Sequence, residues 1–104
     1  YGKGIRPTNV EDAGKLAGKY KADTQLFRAR EKAAYDFLKK NKMVDSKRIV
    51  IMGYCFGGTG ALEAARSGLP VVGAVSFHGG LSTQKPQDAK NIKSKVLKMK
   101  ELVS

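Results

Sequence analysis

The chain has 104 residues and a mass of 11.3 kDa, which limits it to one small domain. Hydrophobic residues make up 41% of it, enough for a core, but no apolar run approaches the roughly 18 residues of a membrane span, so we expect no membrane partner. Twenty Lys and Arg residues against nine Asp and Glu give a net charge of +11. The basic residues are spread along the whole chain without an arginine-rich block. This distribution favours a solvated lysine-rich surface over a nucleic-acid-binding one.

The first predicted element is a short helix near the start of the chain. The chain begins at Tyr1 rather than Met, so we expect it to be a piece of a longer protein or a processed product. Asn9 can cap a helix over residues 10 to about 20, whose first turn is acidic. Gly14 and Gly18 weaken this helix and lie on one face. They indicate either the close approach of another backbone or a mobile, partly helical segment.

A second helix is predicted to begin at Asp23 or Thr24 and to run to about residue 42. Its apolar side chains recur at helical spacing and form one wide stripe, which is typical of a helix that covers a core. The stripe consists of Leu26, Phe27, Ala33, Ala34, Phe37 and Leu38. The charged residues of this helix, Glu31 among them, fall mostly on its other faces, and the pattern assigns them no chemistry.

The stretch RIVIMGYCFGGTGALEAAR, residues 48–66, organises the rest of the chain. Residues 49–52 are a continuous apolar run, which predicts a parallel strand buried on both faces. Glycines follow at once, and the alanine-rich segment after them favours a helix. A Gly-x-Cys-x-Gly pattern between a strand and a helix is typical of the nucleophile elbow, a sharp turn that presents a catalytic nucleophile.

Cys55 occupies the nucleophile position of this pattern. An elbow would place its thiol at the carboxyl end of the sheet, beside a helix N-terminus whose N–H groups and positive dipole end favour a thiolate and an oxyanion. The backbone N–H of Phe56 is the expected oxyanion donor. The alternative interpretation is that Cys55 is a small buried hydrophobe after a tight glycine turn.

Two phosphate-binding loops have glycine patterns related to this stretch, and the sequence excludes both. Gly53 and Gly58 have the spacing of a P-loop, but Thr59 stands where that loop requires lysine. Gly58 and Gly60 could begin a dinucleotide-binding fingerprint, but Glu63 occupies its last glycine position. We expect the Glu63 side chain to face solvent or a lysine.

Two further strands are predicted after this helix. Residues 71–77 form an apolar run, His78 begins a glycine turn at its end, and a long polar loop leads to a shorter strand over residues 95–99. The order strand, helix, strand, loop, strand predicts an α/β fold with a parallel sheet of about three strands flanked by helices. Ligands bind at the carboxyl ends of the strands in such sheets, where Cys55 and His78 both fall.

Four pieces of the chain carry a family resemblance. The specific pieces are GYCFGGTGALEAARSG, from Gly53, and VSFHGGL, from Val75. YGKGIRP at the start of the chain and DAKNIKSKVL, from Asp88, support them. Together they resemble the dienelactone hydrolase family of α/β-hydrolases over nearly the whole chain. The resemblance implies one partial α/β-hydrolase domain over residues 1–104.

This resemblance implies a hydrolase that acts on lactones or other carboxylic esters and uses no cofactor. Cys55 matches the nucleophile of the family, and the N–H of Phe56 matches part of its oxyanion hole. His78 matches a motif position near the site but not the catalytic histidine. Because adjacent parallel strands lie about 5 Å apart, His78 could approach Cys55 and act as its base, or it could be a turn residue whose ring hydrogen-bonds locally. The acid and the catalytic histidine of the family follow the strand that begins near Val96, and its early strands come before this region. We therefore expect a truncated chain that lacks these segments and is weakly active or inactive alone.

A second interpretation keeps the fold without the chemistry. A truncated parallel sheet leaves exposed edges and apolar faces. The chain is therefore also consistent with a non-catalytic accessory module, and we expect it to form a homo-oligomer. The single cysteine excludes an internal disulfide, which predicts a cytoplasmic location.

Overall fold

The structure, a computed structural model, describes residues 3–99. The predicted order of helices and strands is confirmed, and a short 3₁₀ helix is added to it. The elements are α1 (Val10–Ala22), α2 (Thr24–Lys39), β1 (Val50–Tyr54), α3 (Phe56–Arg66), β2 (Gly73–Phe77), the 3₁₀ helix (Pro86–Asn91) and β3 (Lys95–Met99).

Side-chain caps set the beginnings of α1 and α2. The Asn9 side chain accepts a hydrogen bond from the backbone N–H of Asp12 at 2.7 Å, which confirms the predicted cap. Asp23 ends α1 and caps α2 by accepting from the backbone N–H of Leu26 at 3.0 Å. In α1, a Cβ added at Gly14 or Gly18 would meet no described atom within 4 Å. The interpretation that another backbone approaches these glycines closely is therefore wrong for residues 3–99.

Two elements are shorter than predicted because local hydrogen bonds compete with them. α2 ends at Lys39, and the Asn41 side chain beyond it accepts from the backbone N–H of Met43 at 2.8 Å, which favours a turn. Before β2, the backbone N–H of Val71 donates to the Leu69 carbonyl at 2.8 Å. This turn places Val71 in the core ahead of the strand.

The three strands form one parallel sheet in the order β1-β2-β3, as predicted. Met52 of β1 pairs with Val75 of β2, which pairs in turn with Leu97 of β3. α3 contacts β1 and β2, and α2 packs on α3. The core cluster consists of Tyr35, Ile49, Ala64, Leu69 and Val71.

One face of the sheet is open in the described chain. Val50 and Met52 are each 55% exposed and Tyr54 is 64% exposed, so the prediction that β1 is buried on both faces is wrong. The same face continues across the sheet to Leu97 and Met99, which are 55% and 47% exposed. The physical reason is that α3 covers only the opposite face.

The apolar stripe predicted for α2 is only partly buried. Phe27 and Tyr35 are each 8% exposed, whereas Phe37 is 79% exposed and Leu38 is 41% exposed. α2 therefore turns the face of Phe27 and Tyr35, not that of Phe37, toward the rest of the fold. Gly60 permits this contact, because a Cβ there would lie 3.1 Å from the Phe27 ring.

The glycines around the turn between β1 and α3 permit close packing of the strand ends and the helix. A Cβ at Gly53 would overlap the backbone of Gly57. A Cβ at Gly58 would lie 2.7 Å from the Ser76 hydroxyl and 3.0 Å from Gly79 Cα. Gly57 itself is different, because a Cβ there would meet nothing within 4 Å.

Gly58→Ala is expected to lower the free energy of unfolding by about 2 kcal/mol, because the added methyl must displace either β2 or the turn after it. Gly57→Ala is the matched control in the same helical turn. It is expected to be neutral or to stabilise by up to about 1 kcal/mol, since alanine favours a helix. Urea denaturation measures both values. Equal stability of the two variants would contradict the packing described here.

Candidate functional site

Cys55 lies at the turn between β1 and α3 in a backbone conformation that residues other than glycine rarely adopt. Its φ is 52° and its ψ is −115°. Its backbone N–H donates to the Phe77 carbonyl at 2.9 Å, and its carbonyl accepts from the N–H of Thr59 at 3.1 Å. Such a conformation costs on the order of 1–3 kcal/mol and persists only where the surroundings hold it. The Cys55 side chain is exposed, so the alternative of a buried small hydrophobe is wrong.

His78 occupies the equivalent position after the neighbouring strand. Tyr54 and Phe77 are partners in the register of β1 and β2, and Cys55 and His78 follow them directly. His78 also has a positive φ, 56°, and its backbone N–H donates to the Met99 carbonyl at 2.7 Å. The prediction that both residues lie at the carboxyl edge of the sheet is confirmed.

An open cavity of about 510 Å³ lies at this edge of the sheet. It brings together the three site residues predicted from the sequence, Cys55, Phe56 and His78. The other residues that line it are Lys21, Thr24, Thr59, Glu63, Gly80, Ser82, Thr83 and Gln84. The cavity is therefore built from the ends of α1, α2, β1 and β2, α3 as far as Glu63 and the loop that follows His78.

The N-terminal end of α3 and Lys21 bring positive charge to the cavity. The first turn of α3 begins directly after Cys55, and the N-terminal end of a helix carries a partial positive charge. Lys21 Nζ lies 5.7 Å from the centroid of the Phe56 ring, which stacks on Phe27 with ring centroids 5.1 Å apart. A developing negative charge at Cys55 would be stabilised here. Nothing in the sequence pattern singled out Lys21.

Glu63 is buried, so the prediction that it faces solvent or a lysine is wrong. It is 4% exposed and lines the cavity. Its carboxylate accepts a hydrogen bond from the Thr83 hydroxyl. Arg28 Nη2 lies 3.4 Å from Glu63 Oε2, and Arg66 Nη1 lies 3.8 Å from Glu63 Oε1. These partners replace the water that a buried carboxylate loses.

Asp88, in the 3₁₀ helix, joins the same cluster. Arg28 Nη1 lies 2.6 Å from Asp88 Oδ2, and both side chains are less than one-fifth exposed. Arg28 therefore connects carboxylates from α3 and from the 3₁₀ helix.

Glu31 is a second carboxyl group beside Glu63. The pKa of Glu31 is raised to about 8, mainly by burial and then by the negative charge of Glu63, and Arg28 opposes the shift. Glu31 Oε2 is buried with no hydrogen-bond partner among the described residues. Near neutral pH this carboxyl is therefore mainly protonated. The neutral form is favoured because a buried oxygen without a hydrogen-bond partner stabilises a negative charge poorly.

Other kinds of site find no support in residues 3–99. Within this range no three His, Cys, Asp or Glu side chains are placed to hold a metal ion. The helices described here are all too short or too polar to cross a bilayer.

A parallel α/β fold with an exposed cysteine at a strained turn between strand and helix defines a class of hydrolase-like sites. The family model for the dienelactone hydrolase family matches residues 1–100. The chain therefore belongs to the dienelactone hydrolase family, a family of hydrolases, as its motifs indicated. No curated protein sequence matches the chain significantly.

Two solved structures are similar to the chain. The structure named m3DLH is 38% identical, with a TM-score of 0.86, over 94% of this chain and 41% of its own. A dienelactone hydrolase-like promiscuous phosphotriesterase from metagenomic libraries is 34% identical, with a TM-score of 0.85, over 92% of this chain and 40% of its own. The chain thus spans about two-fifths of the length of these structures.

Proposed function

We propose that this chain is the nucleophile-bearing part of a hydrolase that acts on lactones and other carboxylic esters through Cys55. One observation carries the proposal: an exposed thiol stands at a strained turn, directly before α3, and opens on a cavity. Strain of this kind is concentrated at functional sites. In this proposal the turn is a nucleophile elbow, and the substrate is a small molecule that fits the cavity.

The proposed reaction has two steps. The Cys55 thiolate attacks the carbonyl carbon, and the carbonyl π electrons move to oxygen, beside the Phe56 N–H and the positive end of α3. The carbon–oxygen bond to the alcohol then breaks, the alkoxide takes a proton, and a thioester remains on Cys55. Water hydrolyses this thioester to the carboxylic acid and restores the thiol. In a lactone the alcohol stays attached to the acyl group.

In this proposal His78 lines the cavity and is not the general base. It is the single histidine of the sequence. By the family resemblance, we expect the catalytic histidine and its acid beyond the strand β3. We therefore expect attack by Cys55 to precede a slow deacylation in this chain, because residues 3–99 would then not contain the groups that activate water.

Phosphotriesters are a second candidate substrate class. One solved structure similar to the chain is a promiscuous phosphotriesterase, which is 34% identical to this chain over 40% of its own length. Attack at phosphorus would use the same thiol and develop negative charge on the phosphoryl oxygen at the same helix end. The single cysteine favours a cytoplasmic location for either activity.

Acylation by p-nitrophenyl acetate tests the proposal on the chain as it stands. We expect a burst of about one p-nitrophenolate per chain and one acetyl group on Cys55, found by peptide mass spectrometry, because deacylation is slow. A triester with a p-nitrophenol leaving group tests the phosphoryl reaction in the same way. Cys55→Ala is the control and should give no burst.

Acetyl groups spread over lysines, with Cys55 unmodified, would contradict the proposal. The non-catalytic module would then be the remaining interpretation. The open apolar face of β1, β2 and β3 is the surface that the predicted homo-oligomer would use, and light scattering on the chain decides between monomer and dimer. Self-association stays a prediction until then.

A further inference from the structure

The loop between β2 and the 3₁₀ helix forms one side of the cavity. Gly80, Ser82, Thr83 and Gln84 line the cavity together with Cys55. A loop of this kind is positioned by the side chains that hold it, because it does not take part in the ladder of the sheet. Its contacts with the helices therefore determine the shape of the cavity.

Three hydrogen bonds to neutral acceptors tie this loop to the helices. The Thr24 hydroxyl donates to Gln84 Oε1 at 2.8 Å, and Gln84 Nε2 donates to the Ala22 carbonyl at 3.1 Å, so Gln84 is held between α1 and α2. From α3, Arg66 Nη2 donates to the Leu81 carbonyl at 3.0 Å.

Two further ties share one guanidinium group. The Thr83 hydroxyl donates to the Glu63 carboxylate, and Arg28 Nη1 donates to Asp88 Oδ2 at 2.6 Å. Arg28 Nη2 lies 3.4 Å from Glu63, so one arginine connects the two ties. We call these four residues the latch.

An ionised Glu31 would add a negative charge that the cluster around the latch does not balance. Arg28 and Arg66 are balanced by Glu63 and Asp88, so the cluster is neutral while Glu31 is protonated. Glu31 lies over α3 with Oε1 2.8 Å from where a Cβ of Gly60 would stand. Its pKa is raised to about 8, mainly by burial and then by Glu63. Of these groups, Glu63 on α3 and Arg28 on α2 act on the charge of Glu31.

We propose that the latch sets the position of the cavity wall at residues 80–84, and that loss of a proton from Glu31 loosens it. Glu63 is in this view a positioning residue that acts through Thr83. The latch goes beyond the hydrolase proposed above, because it concerns the shape of the cavity and not the chemistry at the thiol.

The direction of the pH effect follows from thermodynamic linkage. When the loop is released, Arg28 no longer has Asp88 beside it and is available to an ionised Glu31. The pKa of Glu31 is therefore lower in the released form than in the latched form. As pH rises toward the pKa that Glu31 has in the latched form, the released form is increasingly favoured, because Glu31 has the lower pKa there. Release should increase up to about pH 8 and level off above it.

Hydrogen exchange of the backbone amides in residues 80–91, followed by mass spectrometry from pH 6 to pH 9, tests the latch. Protection factors, corrected for the chemical exchange rate, should fall by about threefold or more across this range, since one unit of pKa difference gives about tenfold. In Glu31→Gln the protection should vary by less than about twofold, because the titrating carboxyl is gone.

Further variants separate positioning from general loss of structure. Thr83→Val removes the hydroxyl and should lower protection at every pH, whereas Thr83→Ser should retain the native profile. Asp36→Asn is the matched control, because Asp36 is a carboxylate of the same helix that pairs with the exposed Lys32. It should leave the profile unchanged. The latch is overturned by pH-independent protection in the native chain or by an unchanged profile in Glu31→Gln. Exchange requires no turnover, so a failure of ester hydrolysis leaves this result independent.

Discussion

Replacing Cys55 by alanine is expected to lower ester hydrolysis by at least about 10³-fold, because no other group in the proposed reaction can form the acyl intermediate. The assay is best made in a chimaera in which this chain replaces the matching two-fifths of the dienelactone hydrolase-like phosphotriesterase, so that the other three-fifths of that protein are supplied. Initial rates with p-nitrophenyl esters, a lactone and a phosphotriester measure the effect. The loss should appear in kcat for every substrate that uses the thiol.

Two further variants make this prediction specific. Cys55→Gly should be as inactive as the alanine variant, yet more stable by about 1 kcal/mol, because glycine adopts a positive φ without strain. Gly57→Ala should keep its activity, since its side chain meets nothing within 4 Å. A Cys55→Ala chimaera that hydrolyses esters at the native rate would contradict the assignment of the nucleophile. Thermal unfolding of each variant establishes that the fold is retained.

The sequence predicted what local pattern and strand order determine. The run before Gly53, the alanine-rich segment after it and the cap at Asn9 each act within a few residues, and each was found as predicted. Parallel order then brings Cys55 and His78 to one edge, because consecutive parallel strands end on the same side. Features of this kind depend on residues within one short segment or on the direction in which a strand runs.

What the sequence did not predict depends on partners far along the chain. Glu63 lies among alanines and reads as a surface carboxylate, yet its partners Arg28 and Thr83 are 35 and 20 residues away. No local spacing signals such a cluster. Glu31 carries the clearest pKa shift in the site, and its cause is burial against α3, which a single sequence does not reveal.

The buried faces of α2 and β1 were mispredicted for a related reason. An apolar stripe shows that a helix or strand can be buried, not which neighbour covers it. Phe37 continues the stripe of α2 but is 79% exposed, because α3 packs on the face of Phe27. Met52 belongs to an apolar run but has α3 on the other side only. Burial on a second face requires an element that residues 3–99 do not contain.

Glu63→Ala is expected to destabilise the fold by about 3 kcal/mol, because it leaves the guanidinium groups of Arg28 and Arg66 without their shared carboxylate. Both side chains are at most 16% exposed, so water replaces the lost partner poorly. Glu63→Gln should cost less, since its amide oxygen still accepts from the Thr83 hydroxyl. Urea unfolding at pH 7 measures both variants. Equal losses would show that the negative charge of Glu63 contributes little.

Glu31 makes a stronger test, because the effect of replacing it should depend on pH and on Glu63. Its pKa in the folded chain is about 8, above the ordinary value of 4.5, so the folded state binds the proton more tightly and loses stability as pH rises through this window. Glu31→Gln should therefore stabilise the native chain at pH 8, by on the order of 2 kcal/mol after allowance for partial exposure, and have little effect at pH 5.

In the Glu63→Ala background the same substitution should stabilise the chain less. One cause of the raised pKa of Glu31 is then removed, while burial still raises this pKa and Arg28 still lowers it. The folded and unfolded pKa values of Glu31 lie closer together, so ionisation of Glu31 costs the folded state less. A double-mutant cycle at pH 8 measures this coupling. If Glu31→Gln has the same effect in both backgrounds, the two carboxyls do not interact, and the buried cluster is a set of independent pairs.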